Sequence, residues 1–275
     1  MQMDKLIDKA KRYIKKLIKI LSLKELSILP AYLSYSLVLA IIPIITIIVA
    51  VLGTFGISID AVTALIDNVL PNYASDVIIG AISGKSFDFS LGILTLVTIL
   101  VAANGMYSII NASNNLYKIE SKSEIKDRLR SFLILVIIIV LLLFLIIVPL
   151  LGDKILEIIS NYNISKNIID SVYLLYNALK WPLTLLLLFF AIKMIYIIAP
   201  SIKIEKDETT IGAFITTIGW AISTAIFSYY INYFAKYDII YGGLSSIIIL
   251  LIWFYIISFI LILGIVINTM KYNKH

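Results

Sequence analysis

The stretch YDIIYGGLSSIIILLIWFY, residues 237–255, decides the fold class. A Tyr-Gly-Gly turn leads into an apolar run that continues to Met270 without a charged residue. About 20 apolar residues cross the hydrocarbon core of a membrane as a helix, whereas a buried strand is much shorter. The stretch therefore predicts a turn at the membrane boundary, followed by a membrane-spanning helix.

The composition of the whole chain points to the same class. The 275 residues are 61% hydrophobic and 15% charged, with a mean hydropathy of +1.01. Ordinary soluble domains are about 45–50% apolar and about 25% charged. The chain has no Cys, which excludes disulfides and thiolate metal sites.

Six apolar segments are long enough to cross a membrane, and charged residues, Gly, Pro or Asn separate them. The sequence predicts an all-α, polytopic bundle of six transmembrane helices occupying residues 30–270. A basic segment, 1–29, precedes this domain and a short tail, 271–275, follows it. The predicted spans cover residues 30–52, 90–111, 131–151, 177–199, 211–234 and 244–270.

The basic residues outside the spans predict the orientation, because Lys and Arg are retained on the cytoplasmic side. The N-terminal segment, 112–130, 200–210 and the tail together hold seventeen of them. The three alternate connections, 53–89, 152–176 and 235–243, hold four. Both termini are therefore expected in the cytoplasm.

Short amphipathic helices are expected outside the membrane. Residues 3–21 alternate apolar residues and lysines at helical spacing, which predicts a helix lying on the anionic inner leaflet. Membrane lipids are thus the expected partner, although the same charges serve equally to set topology. No nucleic-acid binding motif accompanies them. Residues 53–89 and 153–176 also predict short outer helices.

Polar residues inside the spans are candidates for a functional path, because they are costly in lipid. Asn104, Ser108, Asn111 and Asn115 follow one another at intervals of four, three and four, so they share a face of span two. Span five carries several Ser and Thr, among them Thr216. Such groups either line a polar cavity or hold helices together by hydrogen bonds.

A catalytic role finds little support in the residue inventory. The single His, His275, is the last residue, which excludes zinc sites and triads that need internal histidines. No Gly-rich phosphate loop occurs, and no cofactor is expected. Glu120, Glu124 and Asp127 lie among Lys and Arg, where solvated ion pairs are expected. The sequence therefore indicates a protein that is not an enzyme.

Three segments resemble the YihY/BrkB family of bacterial inner-membrane proteins. They are AYLSYSLVLAIIPIIT (31–46), NASNNLYKI (111–119) and the block IGAFITTIGWAISTAIFSYYINYFAKYDIIYGGLSSIIILLIWFYIISFILILGIVIN (211–268). The last block carries Tyr-Gly, Trp and Gly-x-x-x-Asn in the family's order. The resemblance implies six spans with both termini inside the cell. Members once carried the label ribonuclease BN, but the residues here offer no ribonuclease chemistry.

The resemblance also supplies candidate residues for shaping a central cavity. Gly and Pro at such positions otherwise shape helices, and Tyr and Trp anchor them. Trp253 lies deep in the last span, so its indole N–H is expected to need a partner from another helix. The positions are Tyr32, Ser36, Pro43, Asn115, Pro200, Gly212, Tyr230, Tyr241, Gly242, Trp253, Gly264 and Asn268.

Two functions fit these observations. The first is a transporter or lipid-translocating protein whose bundle encloses an uncharged polar cavity. The second is a non-transporting scaffold or interaction protein of the cell envelope, in which the polar side chains serve packing.

Overall fold

The protein is an all-α membrane protein. The computed structural model describes residues 24–54, 63, 92–161, 166–233, 237 and 241–272. Six long helices occupy this part of the chain, and a single 3₁₀ turn, Gly242–Leu244, precedes the last of them. In chain order they are α1 (Lys24–Thr54), α2 (Gly92–Tyr117), α3 (Glu124–Asn161), α4 (Lys166–Ile198), α5 (Thr210–Tyr233) and α6 (Ser245–Tyr272).

Each predicted span corresponds to one of these helices. Within the described residues, five helices are long and apolar enough to cross a membrane, namely α1, α2, α4, α5 and α6. The remaining predicted span, 131–151, lies within α3, which has 38 residues. At about 1.5 Å per residue, α3 is longer than the roughly 30 Å hydrocarbon core of a bilayer requires.

The helices expected outside the membrane can be compared with the structure only in part. The N-terminal segment 3–21 and nearly all of the outer connection 53–89 lie outside the described residues. The second outer connection forms no separate short helix, because α3 continues to Asn161 and α4 already begins at Lys166. The amphipathic pattern at 153–161 therefore extends a membrane helix.

The helices pack in chain order around a ring that closes between α6 and α1. Contacts of α1 with α3 and of α2 with α6 fill the centre. The main core includes the fully buried Leu33 and Met106, and Ile262 from α6. Large apolar side chains on the outer faces remain exposed, as expected of surfaces that contact lipid.

A close helix contact brings α1 against α2 at Gly105. A Cβ atom at this position would overlap the Cβ of Ala40 and lie 3.1 Å from the carbonyl oxygen of Ser36. Small residues at an interface let helix backbones approach and increase their van der Waals contact in a membrane. Gly105 therefore sets the spacing of α1 and α2.

The two turns at one end of the bundle are well defined. The α2–α3 turn contains a Schellman motif: Ile119 N–H donates to the Asn114 carbonyl (2.9 Å), and Lys118 N–H donates to the Asn115 carbonyl (3.1 Å). Lys118 takes the left-handed conformation, with φ 55°. The α4–α5 turn begins at Ala199-Pro200, where proline ends α4. We call this end, which also contains Lys24 and Tyr272, the basic end.

Substitution of Gly105 by Ala is expected to lower the free energy of unfolding by about 1–3 kcal/mol, because α1 must move away from α2. Unfolding in mixed micelles of denaturing and mild detergent measures the difference. The control is Gly53→Ala, since no described atom lies within 4 Å of a Cβ there. Equal stability of both variants would contradict the close approach.

Candidate functional site

A buried hydrogen-bonded junction joins the two turns at the basic end. Asn114, near the end of α2, contacts Ser201 of the α4–α5 turn twice. Its amide nitrogen donates to Ser201 Oγ at 2.8 Å, and its amide oxygen accepts the Ser201 backbone N–H at 2.8 Å. This double contact positions the turn against α2.

Asp127, in the first turn of α3, completes the junction. Its Oδ1 accepts the Ser201 hydroxyl at 2.8 Å and pairs with the Arg130 guanidinium at 2.7 Å. Only 1% of Asp127 is exposed, and its Oδ2 has no hydrogen-bond partner among the described residues. The expectation of a solvated ion pair is therefore wrong for Asp127. The fold turns this carboxylate away from the surface lysines and toward Ser201.

The Glu208 side chain and the Tyr117 hydroxyl are also buried at the same end. Glu208 closes the α4–α5 turn, since its Oε2 accepts the Glu205 backbone N–H at 3.1 Å. Tyr117 packs edge-on against Tyr272, with ring centroids 5.6 Å apart. The Tyr117 hydroxyl has no hydrogen-bond partner among the described residues. The basic end thus contains buried acceptors and hydroxyls as well as exposed cations.

A second polar contact joins α4, α5 and α6. The Tyr196 hydroxyl donates to the Leu261 carbonyl at 2.9 Å and lies 2.6 Å from Thr216 Oγ1. Any side chain at Gly264 would overlap both hydroxyl oxygens. Thr216 therefore serves interhelical packing, one of the two roles considered for the polar residues of span five.

Asn268, the last residue of the Gly-x-x-x-Asn pattern of α6, forms a further interhelical contact. Asn268 Oδ1 accepts the backbone N–H of Gly212 at 3.0 Å. Gly212 lies in the first turn of α5, where N–H groups have no acceptor within their own helix. A side chain at Gly212 would overlap Asn268. Thus α6 caps α5 from the side, and Gly212 provides the necessary space.

The four polar residues of span two share one face of α2 but differ in exposure. Asn104 and Asn115 are exposed, Asn111 is partly buried, and Ser108 is buried and donates to the Gly105 carbonyl. Asn104 accepts a hydrogen bond from Arg128 of α3. Three of the four therefore border the outer surface of the helix.

The remaining predicted residues occupy varied surroundings. Trp253 has a buried Nε1 without a partner among the described residues, and its ring packs edge-on against Phe254 at 5.1 Å. Gly242 has a φ of 51°, which confirms the predicted glycine turn. Exposed positions are Tyr32, Tyr230 and Tyr241, partly buried ones are Ser36 and Pro43, and buried ones are Pro200 and Gly264.

Sequence reasoning missed the residues that form the strongest interhelical contacts. Asn114 directly precedes Asn115, the last of the four polar residues predicted to share a face of α2. Because the two positions differ by one residue, the Asn114 side chain is directed into the core. Tyr196 lies in a continuous apolar run. The only signal in the sequence is that its phenol hydroxyl, once buried, needs a hydrogen-bond partner. Ser201 carries no signal beyond its position after Pro200, where α4 ends.

Comparison with known proteins assigns the family. The sequence matches the family described as Virulence factor BrkB over residues 17–275. The chain belongs to the BrkB family. This match confirms the resemblance inferred from the sequence, and it covers all six helices.

Curated relatives of this BrkB family chain cover most of its length. YfkH of Bacillus subtilis, named a ribonuclease-like protein, is 28% identical over 95% of this chain and 96% of its own length. A UPF0761 membrane protein of Vibrio campbellii is 30% identical over 96% of this chain and 83% of its own length. No solved structure matches the chain. The relatives support assignment as a membrane protein.

The Asp127–Ser201 contact can be measured with a double-mutant cycle. Replacing Asp127 by Ala is expected to cost about 2–3 kcal/mol of unfolding free energy, because a charge-assisted hydrogen bond and an ion pair are lost. Ser201→Ala should cost less in the Asp127→Ala background than in the wild type. Glu124→Ala, an exposed carboxylate of the same helix, is the control. Strict additivity of the two substitutions would contradict the contact.

Removal of the Tyr196 hydroxyl tests the contact between α4 and α6. Tyr196→Phe is expected to lower the free energy of unfolding by about 1–1.5 kcal/mol, because the buried Leu261 carbonyl loses a donor outside its helix. The matched control is Tyr255→Phe, whose ring is 40% exposed. Unfolding in mixed micelles compares them. A Tyr196→Phe protein no less stable than Tyr255→Phe would refute this role.

Proposed function

We propose that the protein is a non-enzymatic lipid-translocating protein of the bacterial cytoplasmic membrane. Its BrkB family membership and apolar helices support the membrane setting. The concentration of Lys and Arg at the basic end supports an orientation with this end and both termini in the cytoplasm.

The main support for this proposal is the position of the α2 polar stripe, which comprises Asn104, Ser108, Asn111 and Asn115. Asn104 precedes the end of α2 at Tyr117 by thirteen residues, which corresponds to about 20 Å along the helix axis. It is nevertheless exposed, beside the exposed Leu100 and Val101. Amides on this exposed face offer hydrogen bonds to a headgroup, while the acyl chains stay in the surrounding lipid. A lipid-facing stripe suits a lipid substrate better than a soluble one.

The residue inventory supports a role without catalysis. YfkH is named ribonuclease-like, but phosphodiester hydrolysis in proteins commonly relies on a general base or a metal ion. This chain has no Cys, and its single His is residue 275. Two acidic groups at the basic end, Asp127 and Glu208, form structural hydrogen bonds.

A dithionite-bleaching assay tests translocation directly. Vesicles containing the purified protein and a trace of fluorescent phospholipid are treated with dithionite, with and without an imposed membrane potential. We expect bleaching to extend beyond the outer-leaflet fraction seen in protein-free vesicles. A combined Asn104→Leu and Asn111→Leu variant should reduce this excess severalfold, whereas the control Leu100→Ile should preserve it.

Bleaching limited to the outer leaflet under both conditions would contradict lipid translocation. The extensive interhelical hydrogen bonding of Tyr196, Thr216 and Ser201 would then favour the scaffold function. If the double variant left the excess bleaching unchanged, the polar stripe would not be part of the translocation path.

A further inference from the structure

Arg128 is held in the groove between α2 and α3 by two contacts with α2. Its guanidinium carbon lies 4.4 Å from the ring centroid of Tyr107, and its Nη1 donates to Asn104 Oδ1. Stacking on an aromatic ring and hydrogen bonding to an amide both orient a guanidinium. The cation is therefore positioned, although the residue is exposed.

Neither contact neutralises the charge of Arg128. The adjacent carboxylate, Asp127, is buried and is occupied by Ser201 and Arg130. No carboxylate among the described residues forms an ion pair with Arg128. Tyr107 and Asn104 also use only part of its five N–H donors. The remaining donors are available to an anion that enters the groove.

The surroundings of this cation are apolar and exposed. Leu100, one turn before Asn104 on α2, is 52% exposed, and Leu129, which follows Arg128 on α3, is 60% exposed. Such side chains face lipid tails in a membrane protein. A cation is costly beside lipid tails unless it is paired, and phospholipid phosphates are the anions available at this boundary. Guanidinium and phosphate also match in geometry, since both support two parallel hydrogen bonds.

We propose that Arg128, Tyr107 and Asn104 form a binding site for the phosphodiester of a membrane phospholipid. The acyl chains lie along the apolar groove beside Leu100 and Leu129. The site specifies which group of the lipid is recognised, namely the phosphodiester. Its role in translocation rests on the proposed function. Binding itself can be measured without translocation.

Native mass spectrometry measures this binding directly. The purified full-length protein is exchanged into detergent containing phosphatidylglycerol or diacylglycerol with the same acyl chains. We expect retention of phosphatidylglycerol but not of diacylglycerol, which lacks the phosphodiester. Arg128→Gln should reduce the retained fraction about tenfold, because charge-assisted hydrogen bonds are lost. Arg128→Lys should retain an intermediate amount, since it keeps the charge but not the fork of donors.

The matched control is Lys126→Gln, which removes one exposed positive charge two residues away. It should retain phosphatidylglycerol as the wild type does. Equal loss in Lys126→Gln and Arg128→Gln would overturn the site in favour of general attraction between charges. Undiminished retention in Arg128→Gln would also overturn it. Unfolding of each variant in mixed micelles verifies that the proteins compared are folded.

The same preparations separate this proposal from the proposed function. Arg128-dependent retention without excess dithionite bleaching would leave the site intact and refute translocation. Excess bleaching together with Arg128-independent retention would support translocation and refute the site.

Discussion

The hydrogen-bonded junction of Asn114, Ser201 and Asp127 is the constraint on which the basic end of the bundle depends. Between helices in a membrane, the hydrophobic effect offers little attraction, because lipid tails are as apolar as leucine. Specific hydrogen bonds and close backbone contacts must therefore select one arrangement. Here one serine of the α4–α5 turn satisfies groups from both α2 and α3. Four helices are positioned by this contact.

The other polar contacts continue the same pattern from the junction into the bundle. Tyr196 of α4 reaches across to α6, and Asn268 of α6 caps the first turn of α5. Both contacts are possible because glycine occupies the facing position, Gly264 in one case and Gly212 in the other. Each of these polar side chains therefore depends on a facing glycine, because any larger residue there would occupy the same space.

Much of the fold could be predicted from the sequence, because long apolar runs are strong signals of membrane-spanning helices. The predicted spans 211–234 and 244–270 match α5 and α6 to within two residues. The environment of polar residues could not be predicted in the same way. Helical spacing shows that Asn104 and Asn115 share a face, but it does not show which neighbour that face meets. Asp127 lies in a charged local sequence, and only the tertiary contact with Ser201 explains its burial.

We infer that the polar stripe of α2, comprising Asn104, Ser108, Asn111 and Asn115, borders lipid and does not line an enclosed cavity. Because the chain has no Cys, single cysteines at residues 104 and 106 can carry a spin label in lipid nanodiscs. Accessibility to oxygen, which concentrates in lipid, and to a water-soluble nickel complex is then measured for each label. We expect high oxygen accessibility for the label replacing Asn104 and protection from both reagents for the label replacing the buried Met106. Equal protection at both positions, or preferential access of the nickel complex to position 104, would contradict it.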